Sequence, residues 1–339
     1  TSVETKETIA GRSSRQISQT TEALDKPQLW NLSTPVLYKI ASKLYKGEQL
    51  IDEEETTFGF RWFEWTADRG FFLNGKHLYF RGVNVHQDQA GWGDAVTEAA
   101  MYWNSSAYPV TKSDEAGFEE SDLQQLREMI RIHRNHPSII VWSMCNEAFF
   151  SAPETMPGVR RLLKRMVDLT HQLDPTRPAT VGGAQRPLGE ERIDKIGDIA
   201  GYNGDGATQT DFQNPGIPNV VSEYGSTTAD RPGEYGPGWG DLKKDDGWKG
   251  RSWRSGQAIW CGFDHGSIAG SALGKMGIVD YFRIPKRSWY WYRNEYTQVA
   301  PPVWPVEGIP ARLKLEATKT ENVLTDGTDD VLLTVSVLD

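Results

Sequence analysis

One stretch limits what this chain can fold into more than any other: Asn135-His-Pro-Ser-Ile-Ile-Val-Trp-Ser-Met-Cys-Asn-Glu147. A turn at His136-Pro137 is followed by an apolar run too brief for a helix, and the run ends in the polar pair Asn146-Glu147. A short, uninterrupted apolar run is the pattern of a parallel strand buried on both faces. Such a strand would deliver a carboxylate at its C-terminal tip, and in a barrel of alternating strands and helices that end carries the loops and the chemistry. Glu147 is therefore the first catalytic candidate, the plainer alternative being that it caps the following loop or pairs with an arginine. A second stretch, Asn219-Val-Val-Ser-Glu-Tyr-Gly225, repeats the pattern and ends in Glu223. Two glutamates at two strand tips suggest a matched acid and nucleophile.

The middle of the chain alternates helix and strand, the signature of a parallel α/β fold. A helix is predicted over Glu119–Asn135, with Leu123, Leu126, Met129, Ile130 and His133 near helical spacing. After the strand to Glu147 comes a helix over Val159–Leu173, stopped by Asp174-Pro175. Strands follow at Pro178–Gly182, Ile196–Tyr202 and Val220–Glu223. A loop rich in Gly and Trp from Thr227 to Arg254 then leads to a strand at Gln257–Phe263. The flanks read as antiparallel β. Leu37–Tyr45 and Gln49–Phe58 form a hairpin, but residues 1–63 are too few for a whole sandwich of ~100 residues. Asn74-Gly75 marks a turn, and Leu78–Val85 is a strand with His86 and Asp88 at its end. A lone histidine near a strand end is commonly structural, but this one would share a rim with the two glutamates. Residues 305–339 supply the first strands of a following sandwich, at Ala311–Ala317 and Val331–Val337.

Charged residues make up 24% and hydrophobic ones 38% of 339 residues, enough apolar material for a sizeable core. The net charge of −9 argues against nucleic acid or an anionic membrane as partner, and no apolar run approaches the ~20 residues of a membrane span. The first residues, Thr1 to Thr8, have neither the basic start nor the apolar stretch of a secretory leader. Export to the periplasm or beyond would need a leader already removed; otherwise the cytoplasm is expected. Cys145 and Cys261 both fall inside barrel strands and form no disulfide framework. The 13 Trp, 12 Tyr and 12 Phe suit a cleft in which rings stack on sugar C–H surfaces, though cores use them too.

These residues resemble glycoside hydrolase family 2, the group of β-galactosidases, β-glucuronidases and β-mannosidases, over nearly the whole chain. Pro27-Gln28-Leu29-Trp30 and Thr34-Pro35-Val36-Leu37-Tyr38 are similar to the end of that family's immunoglobulin-like domain. Phe58-Gly59-Phe60-Arg61 resembles its junction with the barrel, and Arg81-Gly-Val-Asn-Val-His86 the first barrel strand. Asn135-His-Pro-Ser through Asn146-Glu147, with Ser222-Glu223-Tyr224-Gly225, is the most specific match. The resemblance implies a (β/α)8 TIM-type barrel at 64–304 flanked by partial immunoglobulin-like segments. It implies Glu147 as general acid/base and Glu223 as nucleophile. Asn146 would bind the sugar 2-hydroxyl, Tyr202 orient the nucleophile, Trp260 line the sugar pocket, and His86 and Asp88 contact the sugar at the rim. Asn146 or Tyr202 could instead satisfy buried polar backbone, and Trp260 could simply pack.

The implied reaction is retaining hydrolysis of a terminal β-linked sugar, most simply a β-galactoside, with glucuronide or mannoside as alternatives. Glu147, its pKa raised by its neighbour and by apolar surroundings, would protonate the leaving oxygen while ionised Glu223 attacks, the carboxyls about 5–5.5 Å apart. No cofactor is implied, since the divalent-metal ligands that some members draw from the third-strand region have no counterpart here. The sequence leaves a homo-oligomer open. It departs from the family in showing six barrel strands where eight are expected. Residues 89–118 have no room for the second and third strands with their helices, one βα unit alone needing ~30 residues. Ser106-Ala-Tyr-Pro109 places an alanine where that region would carry a histidine. Either the barrel has lost strands and become a sugar-binding scaffold, or a segment near Ala99–Tyr102 is missing. An unclosed sheet would expose strand edges, which favours the second.

Overall fold

The computed structural model describes residues 1–85, 116–148, 153–186, 188–189, 192–204, 209–225, 229–236, 254–266, 274–304, 312–321 and 331–338. They divide into two compact units, Thr1–Tyr292 and Arg293–Asp339. In the first, β1 (Tyr38–Lys46) and β2 (Gln49–Phe58) form the expected antiparallel hairpin. Its turn needs a left-handed residue, supplied by Gly47 at φ 62°. A three-stranded meander follows, β3 (Phe63–Thr66), β4 (Gly70–Leu73) and β5 (Lys76–Leu78). Asn74 and Gly75, at φ 50° and 78°, make its tight turn.

Six strands then build one parallel sheet. They are β6 (Phe80–Val83), β7 (Trp142–Asn146), β8 (Ala179–Gly182), β9 (Ile199–Asn203), β10 (Asn219–Tyr224) and β11 (Arg254–Ile259). Between them lie α1 (Ala116–His133), α2 (Met156–Leu173) and the single turn α3 (Thr210–Gln213). The order is β6-β11-β10-β9-β8-β7, every pairing parallel. The sheet thus closes β11 back onto β6, as a barrel does, and among the described residues its edge strands are β6 and β7, with residues 86–115 in the chain between them. That stretch, including Ser106–Pro109, His86 and Asp88, lies outside the described residues. No helix among the described residues is long and apolar enough to cross a membrane.

Burial explains the strand pattern, since β8 and β9 are buried at every position and so show no polar alternation. Helix α2 turns Val159, Leu162, Leu163, Met166, Val167 and Thr170 inward at three- and four-residue spacing. These pack with Ile130 of α1 and with Trp142 and Met144 of β7 in the main core. Cys145 and Cys261 are free and buried, and burial pushes both thiols up to about 12.

The His136-Pro137 turn is held from two directions at the N-terminal ends of the strands. Arg61 donates to the carbonyls of Pro137 and Ile139, and Arg177 donates to Ile139 (2.6 Å) and His136 (2.9 Å). Asp174 anchors Arg177 at 2.6 Å and accepts the Trp142 indole N–H at 3.0 Å. A Cβ on Gly59 would come within 2.8 Å of Pro137 Cγ, so the Phe58-Gly-Phe-Arg61 junction fits this turn only with glycine. Beyond β11, α4 (Arg287–Thr297) leads into the second unit, a ribbon of β12 (Arg312–Ala317) and β13 (Leu333–Leu338). Its antiparallel register sets Leu313 and Leu315 opposite Val337 and Val335.

Candidate active site

Glu147 follows the last residue of β7 with its backbone in the left-handed region, φ 52°. A non-glycine residue there is uncommon and carries local strain. Gly183, just past β8 and itself at φ 58°, leaves room for it: a Cβ would lie 2.6 Å from Glu147 Cγ and 2.8 Å from Asn146 Oδ1. Glu223 stands on β10 and is 5% exposed. The two carboxyls share their hydrogen-bond partners. Asn203, at the tip of β9, donates through Nδ2 to Glu147 Oε1 (2.9 Å) and to Asn146 Oδ1 (3.1 Å), and the amides of Asn203 and Asn146 also favour the ionised form of Glu223.

The Glu223 carboxyl is pushed up to about 8, first by burial and then by the charge of Glu147, against the opposing pull of the bonds from Asn203 and Asn146. The sequence reading expected an upward shift on Glu147 and none on Glu223; the raised carboxyl seen here is that of Glu223, which its strand buries. With that shift Glu223 carries a proton near neutrality.

Trp260, directly after β11, is half-buried; its backbone N–H donates to the Tyr224 carbonyl (2.9 Å) and its ring meets His265 edge-on at 6.2 Å. It therefore stands at the same rim as Glu223. Tyr202 does not. Its hydroxyl donates to Asp194 Oδ2 (2.9 Å) and its ring packs on Phe212 beneath the Arg254 guanidinium. Successive strand residues face opposite sides, so the residue of β9 that reaches the glutamates is its neighbour Asn203. Sequence reading missed Asn203 by ending this strand one residue early. The signal available was an amide at a strand tip, as at Asn146. Asn84 was also passed over: past the end of β6, it donates to the Ser222 carbonyl at 2.8 Å. Among the described residues no group of three or more His, Cys, Asp or Glu is placed to hold a metal ion.

Fold and site together define a TIM-type barrel with a carboxyl pair at its C-terminal rim. Two family models match the chain: glycosyl hydrolases family 2, TIM barrel domain, over residues 105–245, and glycosyl hydrolases family 2 over residues 1–61. Together they take in more than half of the residues, and the chain belongs to glycoside hydrolase family 2. The β-glucuronidase of Bacteroides fragilis is 26% identical over 362 positions, covering 84% of this chain and 51% of its own length. The β-galactosidase BoGH2A of Bacteroides ovatus is 24% identical, covering 80% and 45%. Among solved structures, Bacteroides uniformis β-glucuronidase 2 covalently bound to cyclophellitol-6-carboxylate aziridine superposes with a TM-score of 0.65 at 25% identity, covering 86% and 43%. The chain thus spans about half the length of the curated relatives it matches. Since 84% of 339 residues cannot fill 362 aligned positions, the B. fragilis enzyme carries many residues with no counterpart here.

Proposed function

We propose that this chain carries the catalytic centre of a retaining β-glycosidase, with Glu223 as nucleophile and Glu147 as acid/base. The observation that carries this reading is the pair of glutamates at two strand tips, bridged by Asn146 and Asn203. When a sugar ring lies between them, positive charge growing at the anomeric carbon favours the ionised form of Glu223, and the pair's proton is left to Glu147. Glu147 protonates the leaving oxygen, Glu223 forms the glycosyl-enzyme, and Glu147 then takes a proton from the attacking water. The covalent adduct named for the B. uniformis relative supports a nucleophilic step. On this reading Asn146 binds the 2-hydroxyl and Trp260 lines the pocket, while His86 and Asp88, outside the described residues, are proposed as sugar contacts.

For the sugar we propose a neutral β-galactoside. A uronate needs a cation for its carboxylate, and the described basic side chains around the loop after β11 are engaged. Lys275 pairs with Asp230 (2.8 Å), Lys286 with Asp264 (2.7 Å) and Arg231 with Asp280 (3.5 Å). The glucuronidases among the relatives favour a β-glucuronide as the second reading. Nitrophenyl β-galactoside, β-glucuronide and β-mannoside, with the first-formed anomer followed by proton NMR, test both. The expected result is turnover of the galactoside with the β-anomer appearing first. Turnover of the glucuronide alone transfers the assignment to the acid sugar, an α-anomer appearing first excludes retention, and inertness towards all three favours the sugar-binding scaffold.

A further inference from the structure

We propose that Ser222 is a positioning residue whose hydroxyl fixes the sense of the amide network holding Glu147 and Glu223; this rests on the roles proposed for those two glutamates. An asparagine can turn either its carbonyl or its NH2 towards a carboxylate, and only the second supports the ionised form. Something must choose between the two. Ser222 Oγ donates to Asn203 Oδ1 at 2.7 Å, while the Gly183 N–H donates to Ser222 Oγ at 3.4 Å. With an N–H facing its lone pair, the hydroxyl directs its proton at Asn203. Once Oδ1 is engaged there, Nδ2 must face Glu147 Oε1 and Asn146 Oδ1. Asn146, accepting on its oxygen, is left with its own NH2 for Glu223. One hydroxyl thereby sets the polarity of two amides and of the donors reaching both carboxyls.

The surroundings are shaped for this hydroxyl. The Ser222 carbonyl accepts from Asn84 Nδ2 at 2.8 Å, which holds the backbone in place. On the neighbouring strand, a Cβ at Gly201 would stand 2.9 Å from Ser222 Oγ, so the absence of a side chain there leaves the hydroxyl its space. Without the hydroxyl, Asn203 is free to present its carbonyl to the pair and to oppose ionisation.

The test is Ser222→Ala beside the unmodified chain, read in two ways. One is the acid limb of the pH profile of kcat/KM, which reports the free enzyme's carboxyls; the other is the titration of Glu223 followed by carbon NMR in glutamate-labelled protein, assigned with Glu223→Gln. The expected results are a fall in kcat/KM of roughly three- to tenfold at neutral pH, the worth of one neutral hydrogen bond, and a Glu223 titration moved to higher pH. Should the alanine variant not fold, Ser222→Cys, a weak donor of similar shape, is expected to move both readings in the same direction. A lower Tm with the Glu223 titration unmoved would reduce Ser222 to a structural residue and overturn the proposal. Because the NMR reading needs no turnover, an upward move in a chain inert towards every glycoside would uphold the Ser222 network while ending the hydrolase reading.

Discussion

The two ends of the parallel sheet treat buried carboxylates in opposite ways. At the N-terminal end, Asp174 lies buried but receives hydrogen bonds from Thr176 and Trp142 and the charge of Arg177. Burial would raise its pKa, yet those partners outweigh burial and hold the carboxyl below its ordinary value of 3.8. At the C-terminal end Glu223 is about as little exposed, but its neighbours are two neutral amides and a second carboxyl, and it is pushed up to about 8. Both are shielded from solvent and Glu223 is set deeper in protein, but burial acts upward on both, so the opposite directions come from the partners. Full compensation makes a carboxylate a structural anchor, whereas withheld compensation leaves one able to exchange a proton near neutrality.

Removing the uncompensated carboxyl is the largest test of that contrast. Glu223→Gln is expected to lower turnover by about 10⁴-fold or more, as loss of a covalent nucleophile does in other enzymes, measured with the most reactive glycoside. Its effect on stability runs the other way. A carboxyl raised from 4.5 when unfolded to about 8 when folded opposes folding only where the unfolded chain is ionised. That penalty is absent below about pH 4.5, grows up to pH 8 and is full above it. The variant should therefore melt several degrees above the parent at pH 8 and with it at pH 4. A variant less stable than the parent at pH 8 would mean that Glu223 is compensated after all.

Asp174→Ala should show the reverse pattern. A depressed carboxyl stabilises the fold fully above its unfolded value near 3.8, and that contribution is lost as pH falls through the lower, folded value. Breaking a buried pair by removing one partner typically costs about 3–5 kcal/mol. We expect a loss near 3 kcal/mol in urea unfolding at pH 7, shrinking towards pH 3, with kcat per folded molecule unchanged. A loss that stays constant with pH would show that the carboxyl's charge contributes nothing and that packing alone is at work.

Much of this contrast was legible in the sequence, for reasons that can be located. The strand tips bearing Glu147 and Glu223 announced themselves because a short apolar run ending in an acid has few other uses. The Asn-His-Pro-Ser turn and the Phe-Gly-Phe-Arg junction were legible as motifs, but their meaning was not: Arg61 and the carbonyls it binds are more than 70 residues apart in the chain. Asn203 was hidden for a different reason. A strand buried on both faces has no polar alternation, so periodicity cannot tell which side Tyr202 takes and which Asn203 takes. The raised carboxyl of Glu223 was not legible, because relative depth depends on packing between strands, and two identical side chains at similar tips give no sign of it.

Tyr202 gives the smallest and finest test, because it separates the two sides of a single strand. Its hydroxyl is tied to Asp194, which also accepts from Arg192 at 2.5 Å, and burial together with the Asp194 charge raises its pKa. In Tyr202→Phe the Asp194 carboxylate keeps its arginine, and one buried hydrogen bond is lost without opening a cavity. The expected cost is about 1 kcal/mol of stability, with kcat/KM within about twofold of the parent and an unshifted pH profile. A tyrosine that oriented the nucleophile would respond differently. Losing its hydroxyl would strip a donor from Glu223, raise the acid limb of the profile and lower kcat by an order of magnitude or more. Measuring kcat/KM across pH 5 to 9 beside urea unfolding separates the outcomes, since only the outward-facing hydroxyl lowers stability while leaving the chemistry as it was.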